Sequence, residues 1–376
     1  MPPAETKYAR EFPVVNNHAY LNHAAVAPWP KRTYDAVKDF CEENLHHGAA
    51  CYPAWMKIEE KLRGQLARLM GAATTEIALL KNTSEGLSVV AHGFPWRAGD
   101  NVVISDEEFP SNRIVWESLT RYGVTVKQIN LRLNHAPEEN LIRAIDERTR
   151  LLSVSSVQYA SGLRLDLLAL GQACAARKVA FCVDAIQGLG VVAHDVNAMH
   201  IDFLVADGHK WLLGPEGVAV FYCRENWRDR LRLHQYGWHM VRDRGNYDNK
   251  TWQTAVDAKR FECGSPNLLG IHALSASLSL IQEVGAGKIE KSVCARSAYL
   301  LEALAQMKGV ELVTRHERSR TAGIVTFKLK NGEHEKLFRR LQKKNVVCAL
   351  RGGGLRFSPH FYTPMKQLDE VLALIS

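Results

Sequence analysis

The chain has 376 residues, 46% hydrophobic and 23% charged, with a formal charge of +8 and eight cysteines. That length exceeds what a single hydrophobic core usually serves, so a large domain with a smaller one beside it is expected, and the composition excludes a fold that depends on disulfides or metal. No segment reaches the ~18 uncharged apolar residues of a membrane span. Cys41, Cys51, Cys174, Cys182, Cys223, Cys263, Cys294 and Cys348 are scattered singly without a CxxC pair. They read as the reduced thiols of a cytosolic protein. The first seven residues, MPPAETK, lack the basic and then apolar pattern of a leader, so a soluble, cytoplasmic protein without a membrane anchor is expected. The basic residues are spread along the chain, which suits an anionic cofactor and carboxylate substrates better than a nucleic-acid partner.

In chain order, helical spacing covers residues 35–45 and 55–70, where Ile58, Leu62, Leu66 and Leu69 share one face and Gly71 supplies the stop. Short apolar strands and helical stretches then alternate. Strands are expected at 77–80, 101–105, 125–129, 151–157, 180–183, 203–206 and 217–222. Helices are expected from 85, near 113–121, at 137–145 and at 167–177. Continuous apolar strands separated by helices predict a mostly parallel, seven-stranded sheet covered on both faces, with ligands at the carboxyl ends of its strands. Residues 243–250 read as a surface loop. Helices at 271–284, 290–306 and 333–343, with strand-like 323–328 and 346–350, predict a smaller C-terminal α+β unit. The expected division is a large domain at 16–249 and a small one at 250–376, with residues 1–15 packing nearby.

The segment VADGHKWLLGPEG at 205–217 sets Lys210 beside His209 in a glycine-rich turn after an apolar run. A lysine amine whose pKa is lowered by burial can form a Schiff base with an aldehyde, pyridoxal phosphate being the usual one. His209 reads as a neighbour that helps keep that amine's pKa low. Asp184 ends another apolar run, AFCVDAIQG, with Gln187 three residues on. A carboxylate there would hold a proton on a pyridinium nitrogen, or would simply cap a following helix. NTSEG at 82–86 offers Thr83 and Ser84 at a helix start, either as a phosphate cup or as a capping box. In EFPSN at 108–112, Phe109 reads either as a ring-stacking side chain or as core. Arg356, among glycines in RGGGLRFSPH at 351–360, is suited to a two-pronged grip on a carboxylate, a surface arginine being the plainer reading. No GxGxxG follows the first strands, and there is no Walker A, HExxH or GxSxG pattern. Dinucleotide, nucleotide, metalloprotease and serine-hydrolase readings therefore lose their support, and no metal site is expected.

With NTSEG, EFPSN, VDAIQ, ADGHKWLLGPEG, FECGSPN and RGGGLRFSPH in this order, the sequence resembles the class V aminotransferase family of pyridoxal-phosphate enzymes. That group includes cysteine desulfurases, selenocysteine lyases, kynureninases and isopenicillin N epimerases. The resemblance runs from LNHAA at 21–25 to residue 360. It implies the α/β architecture of fold type I and pyridoxal 5'-phosphate as cofactor. It further implies that Lys210 bears the cofactor, Asp184 pairs with its ring nitrogen and Gln187 reaches its ring hydroxyl. Thr83, Ser84, Asp207 and His209 would surround the phosphate, with Ser265 contributed by the other subunit of a homodimer and Phe109 stacking on the ring. Arg356, Asn22 and His23 would meet the substrate.

Desulfurases that carry sulfur on the enzyme have a cysteine shortly before the carboxylate arginine, whereas this chain reads LRGGGL there. Cys348, inside an apolar run, is expected to be buried. A kynureninase would need an aromatic pocket, for which Tyr159, Trp238 and Phe361 are candidates. The leading expectation is a pyridoxal-phosphate enzyme of the class V aminotransferase type acting on a small amino acid. The alternatives are a carbon–sulfur or carbon–selenium lyase, an amino-acid epimerase, and an interaction module that keeps only the fold.

Overall fold

A computed structural model describes residues 7–133 and 136–375, so the first six residues of the expected N-terminal segment lie outside the described residues. Strand β1 (Ala19–Tyr20) belongs to the C-terminal part and is taken up there. The seven expected apolar runs become β2 (Ile77–Leu80), β3 (Asn101–Ser105), β4 (Thr125–Ile129), β5 (Thr149–Ser155), β6 (Ala180–Asp184), β7 (Phe203–Asp207) and β8 (Ala219–Cys223). They form one sheet in the order β2-β8-β7-β6-β5-β3-β4, parallel except that β8 runs against both β2 and β7. Successive side chains of a strand point to opposite faces. Both faces are apolar here. Val183, Leu204 and Val220 enter one core, while Cys182, Phe203, Val205 and Phe221 enter the other.

Helices cover both faces. They are α1 (Lys31–His47), α2 (Tyr52–Met70), α3 (Thr83–Gly93), α4 (Ser111–Glu117), α5 (Pro137–Arg143), α6 (Leu167–Arg177), a single turn α7 (Glu225–Arg228) and α8 (Leu268–Val284). On α2 the predicted stripe is buried at Leu62 and Leu66 and partly buried at Ile58 and Leu69. The helix stops where Gly71 adopts φ of 66°, the left-handed conformation that glycine takes without penalty. The helix expected at 113–121 breaks after Glu117 into a tighter turn that ends at Gly123.

The C-terminal part is a four-stranded antiparallel sheet of β9 (Val310–Leu312), β10 (Val325–Leu329), β12 (Ala349–Arg351) and β13 (Gly354–Phe357), in the order β12-β13-β10-β9. Its apolar face packs with α9 (Ala286–Gln306), α10 (His334–Lys343) and α11 (Met365–Ala373) around Leu300, Phe327, Leu337, Leu341, Phe357 and Leu368. The apolar run at 346–350 is not one strand, because it changes neighbour. Strand β11 (Val346–Val347) pairs in parallel with β1, while β12 pairs with β13. Helix α8 packs along α1 and α2, and the chain bends by 84° between α8 and α9. We propose that the two units divide at this bend rather than at residue 250, with β1 belonging to the smaller one. Among the described residues no single helix is long and apolar enough to cross a membrane, and α8, half of the one bent pair found there that passes by length and composition, is largely buried.

Gly86 brings the start of α3 against β7, since a Cβ there would lie 2.6 Å from Val205 Cγ1 on a stiff, β-branched side chain. Gly86→Ala is expected to cost about 1–3 kcal/mol by overpacking. An unchanged urea midpoint would show that the helix and strand are not in close contact.

Candidate active site

Ser105, Ser155, Asp184 and Asp207 are the last residues of β3, β5, β6 and β7. These strands are parallel neighbours, so all four residues lie on one edge of the sheet. Lys210 follows on a turn held at several points. Gly208 N–H donates to Val218 O, Gly214 N–H donates to Gly208 O, and Ala27 N–H donates to His209 O. Leu213 takes a positive φ of 60°, uncommon for a branched residue. Trp211 Nε1 donates to Gln187 Oε1 at 2.9 Å, and Gln187 Nε2 donates to Ala24 O at 2.9 Å. The loop that carries Lys210, the turn after Asp184 and the segment around Asn22 are therefore bound to one another.

Lys210 is buried, and burial lowers its pKa to about 8, with Asp184 opposing the shift and Arg356 adding to it. Burial raises Asp184 to about 7, with the Glu108 carboxylate adding and Lys210 opposing. Asp184 Oδ1 accepts only the Ile186 N–H at 3.1 Å, and no helix follows it, so the helix-capping reading gives way to a carboxylate closing a short turn. Its other oxygen is the one available to a ligand. Asp207 and His209 approach to 2.9 Å, yet neither contacting atom is aligned as a hydrogen bond.

Asn82, rather than Thr83 or Ser84, caps α3 by accepting the Glu85 N–H at 2.9 Å, while Glu85 reaches back to the Lys81 N–H. Thr83 Oγ1 is thereby left buried with no protein partner. Ser84 is exposed and donates to Ser111 Oγ. Phe109 is 40% exposed and so is not core. Its ring centroid lies 5.6 Å from Lys210 Nζ and 5.1 Å from the Tyr159 ring, edge to face. Arg356 is 2% exposed, which removes the surface reading. It donates to Tyr159 O at 2.8 Å while its Nε has no partner, and burial lowers its pKa to about 10.

Asn22 Oδ1 is also buried without a partner. His23, expected to meet the substrate, instead spends both ring nitrogens inside the protein. It contacts Ser358 O at 2.8 Å and Tyr362 Oη at 2.6 Å, and burial lowers its pKa to about 4. Ser265 is exposed in a cleft with Lys81, Glu85 and Gly217. Of the three aromatic candidates, Tyr159 lies beside Phe109. Phe361 is buried against Tyr8 and Phe12, and Trp238 sits near Tyr247 on the surface. Cys348 is buried, and burial pushes its thiol up to about 12.

Sequence reasoning passed over Glu108 as a functional residue. Its carboxylate is buried and accepts from Ser105 Oγ, Asn112 Nδ2, Ser155 N and Oγ, and Gln158 Nε2 at 2.5–3.1 Å. One signal for it was an acidic residue three positions past a strand end, directly before the candidate stacking ring.

Fitted against pyridoxal phosphate, these residues match the group. A desolvated amine and a buried carboxylate follow the ends of neighbouring strands, each acting on the other's charge, and Thr83 Oγ1 and Arg356 Nε are buried polar atoms without hydrogen-bond partners. Such atoms are costly unless a ligand or water completes them. A model of the family described as aminotransferase class V matches residues 19–369. A probable cysteine desulfurase of Methanothermobacter thermautotrophicus is 27% identical, over 96% of this chain and 94% of that protein. An uncharacterised aminotransferase of Bacillus subtilis is 28% identical, over 98% of this chain and 97% of its own. A cysteine desulfurase of Salmonella agona is 30% identical, over 86% and 82%. In fold, the chain is similar to the cystine C–S lyase C-DES bound to its product cysteine persulfide, with a TM-score of 0.90, 23% identity and coverage of 96% and 98%. It is also similar to a cysteine desulfurase of Thermococcus onnurineus, with a TM-score of 0.88, 24% identity and coverage of 100% and 98%.

Because burial lowers Lys210 to about 8 from the ordinary 10.5, its neutral, nucleophilic fraction should rise with pH through about 8. Reductive methylation at Lys210, followed by peptide mass spectrometry, should show that half-rise in the cofactor-free protein. A half-rise near the ordinary lysine value would refute the desolvated amine.

Proposed function

The chain belongs to the class V aminotransferase family, and from that membership we propose a pyridoxal-phosphate-dependent carbon–sulfur lyase acting on a cysteine-type amino acid. The observation that carries the reading is the burial of Lys210 and Asp184 at the ends of neighbouring parallel strands, an amine and a carboxylate each pushed toward its neutral form by burial. Lys210 would hold the cofactor, with Asp184 at its ring nitrogen, Gln187 near its ring hydroxyl and Phe109 against its ring. Thr83, Ser84, Asp207 and His209 would take its phosphate. Bound there, pyridoxal phosphate supplies an electron sink for the substrate's α carbon.

The chain's own residues do the rest. Arg356 binds the α-carboxylate, Asn22 beside it donates from its side-chain amide N–H, and His23, fastened to Ser358 and Tyr362, positions Asn22 against the strand that carries Arg356. Asp184 keeps a proton on the ring nitrogen, since a buried carboxylate is stabilised by a cationic partner. The freed Lys210 amine takes the proton from Cα. The Cβ–S electron pair then leaves with sulfur, and the unsaturated amino acid hydrolyses to a keto acid and ammonia, so no oxidant is needed.

Cysteine desulfurases stand among the similar proteins, which favours sulfur chemistry over the transamination expected first. The route differs from persulfide relay on the enzyme, because no cysteine falls between Arg351 and Gly354 and Cys348 is buried in the smaller core. We further propose a homodimer in which Ser265 of each chain serves the other chain's phosphate site.

Product analysis across a panel of amino acids tests the reading. Keto acid, ammonia and sulfide or a thiol should appear together from cysteine derivatives. Amino-group transfer to an added keto acid would instead support an aminotransferase, and inversion at Cα an epimerase. Lys210→Ala should abolish turnover, and Asp184→Ala should lower kcat by ~10²-fold or more, the scale of a lost preorganised electrostatic contact. Arg356→Ala should raise KM. Cys348→Ala should retain turnover, and its loss in a folded variant would restore the persulfide route.

A further inference from the structure

The antiparallel register of the small sheet sorts its side chains onto two faces. Arg356 pairs with Ala349 on β12 and with Thr326 on β10, while Arg351 pairs with Gly354. Directly opposed residues share a face, and so do residues two apart on a strand. Ala349, Arg351, Arg356 and Thr326 therefore lie on one face, while Cys348, Leu355, Phe357, Val325 and Phe327 line the core on the other.

The face with the arginines is the one turned to the active site. Arg356 and Thr326 donate to the successive carbonyls of Tyr159 and Ala160 at 2.8 and 2.7 Å. Tyr159 in turn touches Phe109 beside Lys210. The turn after Arg351 is pinned to the same place, since a Cβ on Gly352 would lie 3.2 Å from Ala160 O.

Arg351 is exposed, and its guanidinium donates to the neighbouring Leu350 O at 2.8 Å. Among the described residues, neither Arg351 nor Arg356 is paired with a carboxylate. Lys328 lies on this face as well, opposite Glu311 in register, with its amine toward Gly353 in the turn after Arg351, so it adds a third positive charge at the solvent end of the face. The charge of Arg351 is felt at both Lys210 and Arg356, lowering the pKa of each. Two unpaired guanidiniums thus stand on one sheet face, one buried and one toward solvent. One α-carboxylate satisfies only the first.

We propose that Arg351 binds a second acidic group at the far end of the substrate, so that the preferred substrates are cysteine S-conjugates whose sulfur substituent ends in a carboxylate. This rests on the lyase reading for the identity of the reaction, but not for the existence of the two-arginine site. A buried arginine orders the α-carboxylate near Lys210. The exposed one, reached along the extended side chain, selects the distal charge by a charge-assisted hydrogen bond.

The test compares ligands that differ only in that charge. With the holoenzyme, kcat/KM for S-carboxymethylcysteine should exceed that for the isosteric S-carbamoylmethylcysteine by about tenfold or more, and Arg351→Gln should collapse the ratio toward one. Arg351→Lys should keep part of it, since the charge survives and the planar fork does not. In parallel, calorimetry with adipate and its monoamide, which match the carboxyl-to-carboxyl chain length, reads the same discrimination without any reaction. A diacid preference in binding that Arg351→Gln removes would uphold the second-acid site even if no C–S cleavage occurs, in which case only the lyase reading fails. Equal binding of diacid and monoamide by the native enzyme, or a preference that survives Arg351→Gln, would overturn the proposal. A purely structural role for Arg351 would change both ligands alike and leave the ratio unmoved.

Discussion

The structure depends on keeping one lysine amine out of water among opposite charges. Burial alone would strip Lys210 of its proton, and burial alone would neutralise Asp184. Each partly restores the other's charge, so both remain near the point where a proton can be gained or lost close to neutrality. That balance requires a fixed geometry. It is supplied by backbone bonds across the 208–214 turn and by Trp211 on Gln187, side by side with the strand ends. The parallel sheet provides the arrangement, because its carboxyl edge collects the ends of strands that are far apart in sequence.

Glu108 plays a complementary part. Its carboxylate accepts bonds from Ser105 at the end of β3, Ser155 at the end of β5, Asn112 on α4 and Gln158 in the following loop. A buried negative charge so fully bonded is held in place, and it in turn biases Asp184 toward its protonated form. It fixes the loop that presents Phe109, so the charge balance and the stacking ring are set by one group.

Much of this was readable from the chain itself. The strands were legible because sheets buried on both faces leave short, unbroken apolar runs, and Asp184 and Lys210 were legible because they fall directly after such runs. What could not be read is whatever depends on the direction of a side chain. EFPSN did not say whether Phe109 faced the core, and RGGGLR did not say that Arg351 and Arg356 share a face. The same limit applies to His23, whose neighbours Ser358 and Tyr362 are more than 300 residues away in sequence. The run at 346–350 looked like one strand because hydrophobicity carries no record of a change of partner. Thr83 was ambiguous for another reason: capping and ligand binding ask for the same residue types, and only the assignment of the cap to Asn82 separates them.

The segment from β1 to Ala27 joins the two units in an uneven way. Its first half is strapped to the C-terminal part through β11, Ser358 and Tyr362; Ala24 is bonded to both sides, its N–H to Ser358 Oγ and its O to Gln187, and Ala27 is bonded to His209 of the larger unit. Any rocking of one unit against the other must be absorbed by a few residues around His23 and Ala24. Asn22 would travel with Arg356 while Lys210 stayed behind, so such a motion would open or close the gap between the carboxylate grip and the proton-transfer group, with residues 22–27 as its pivot.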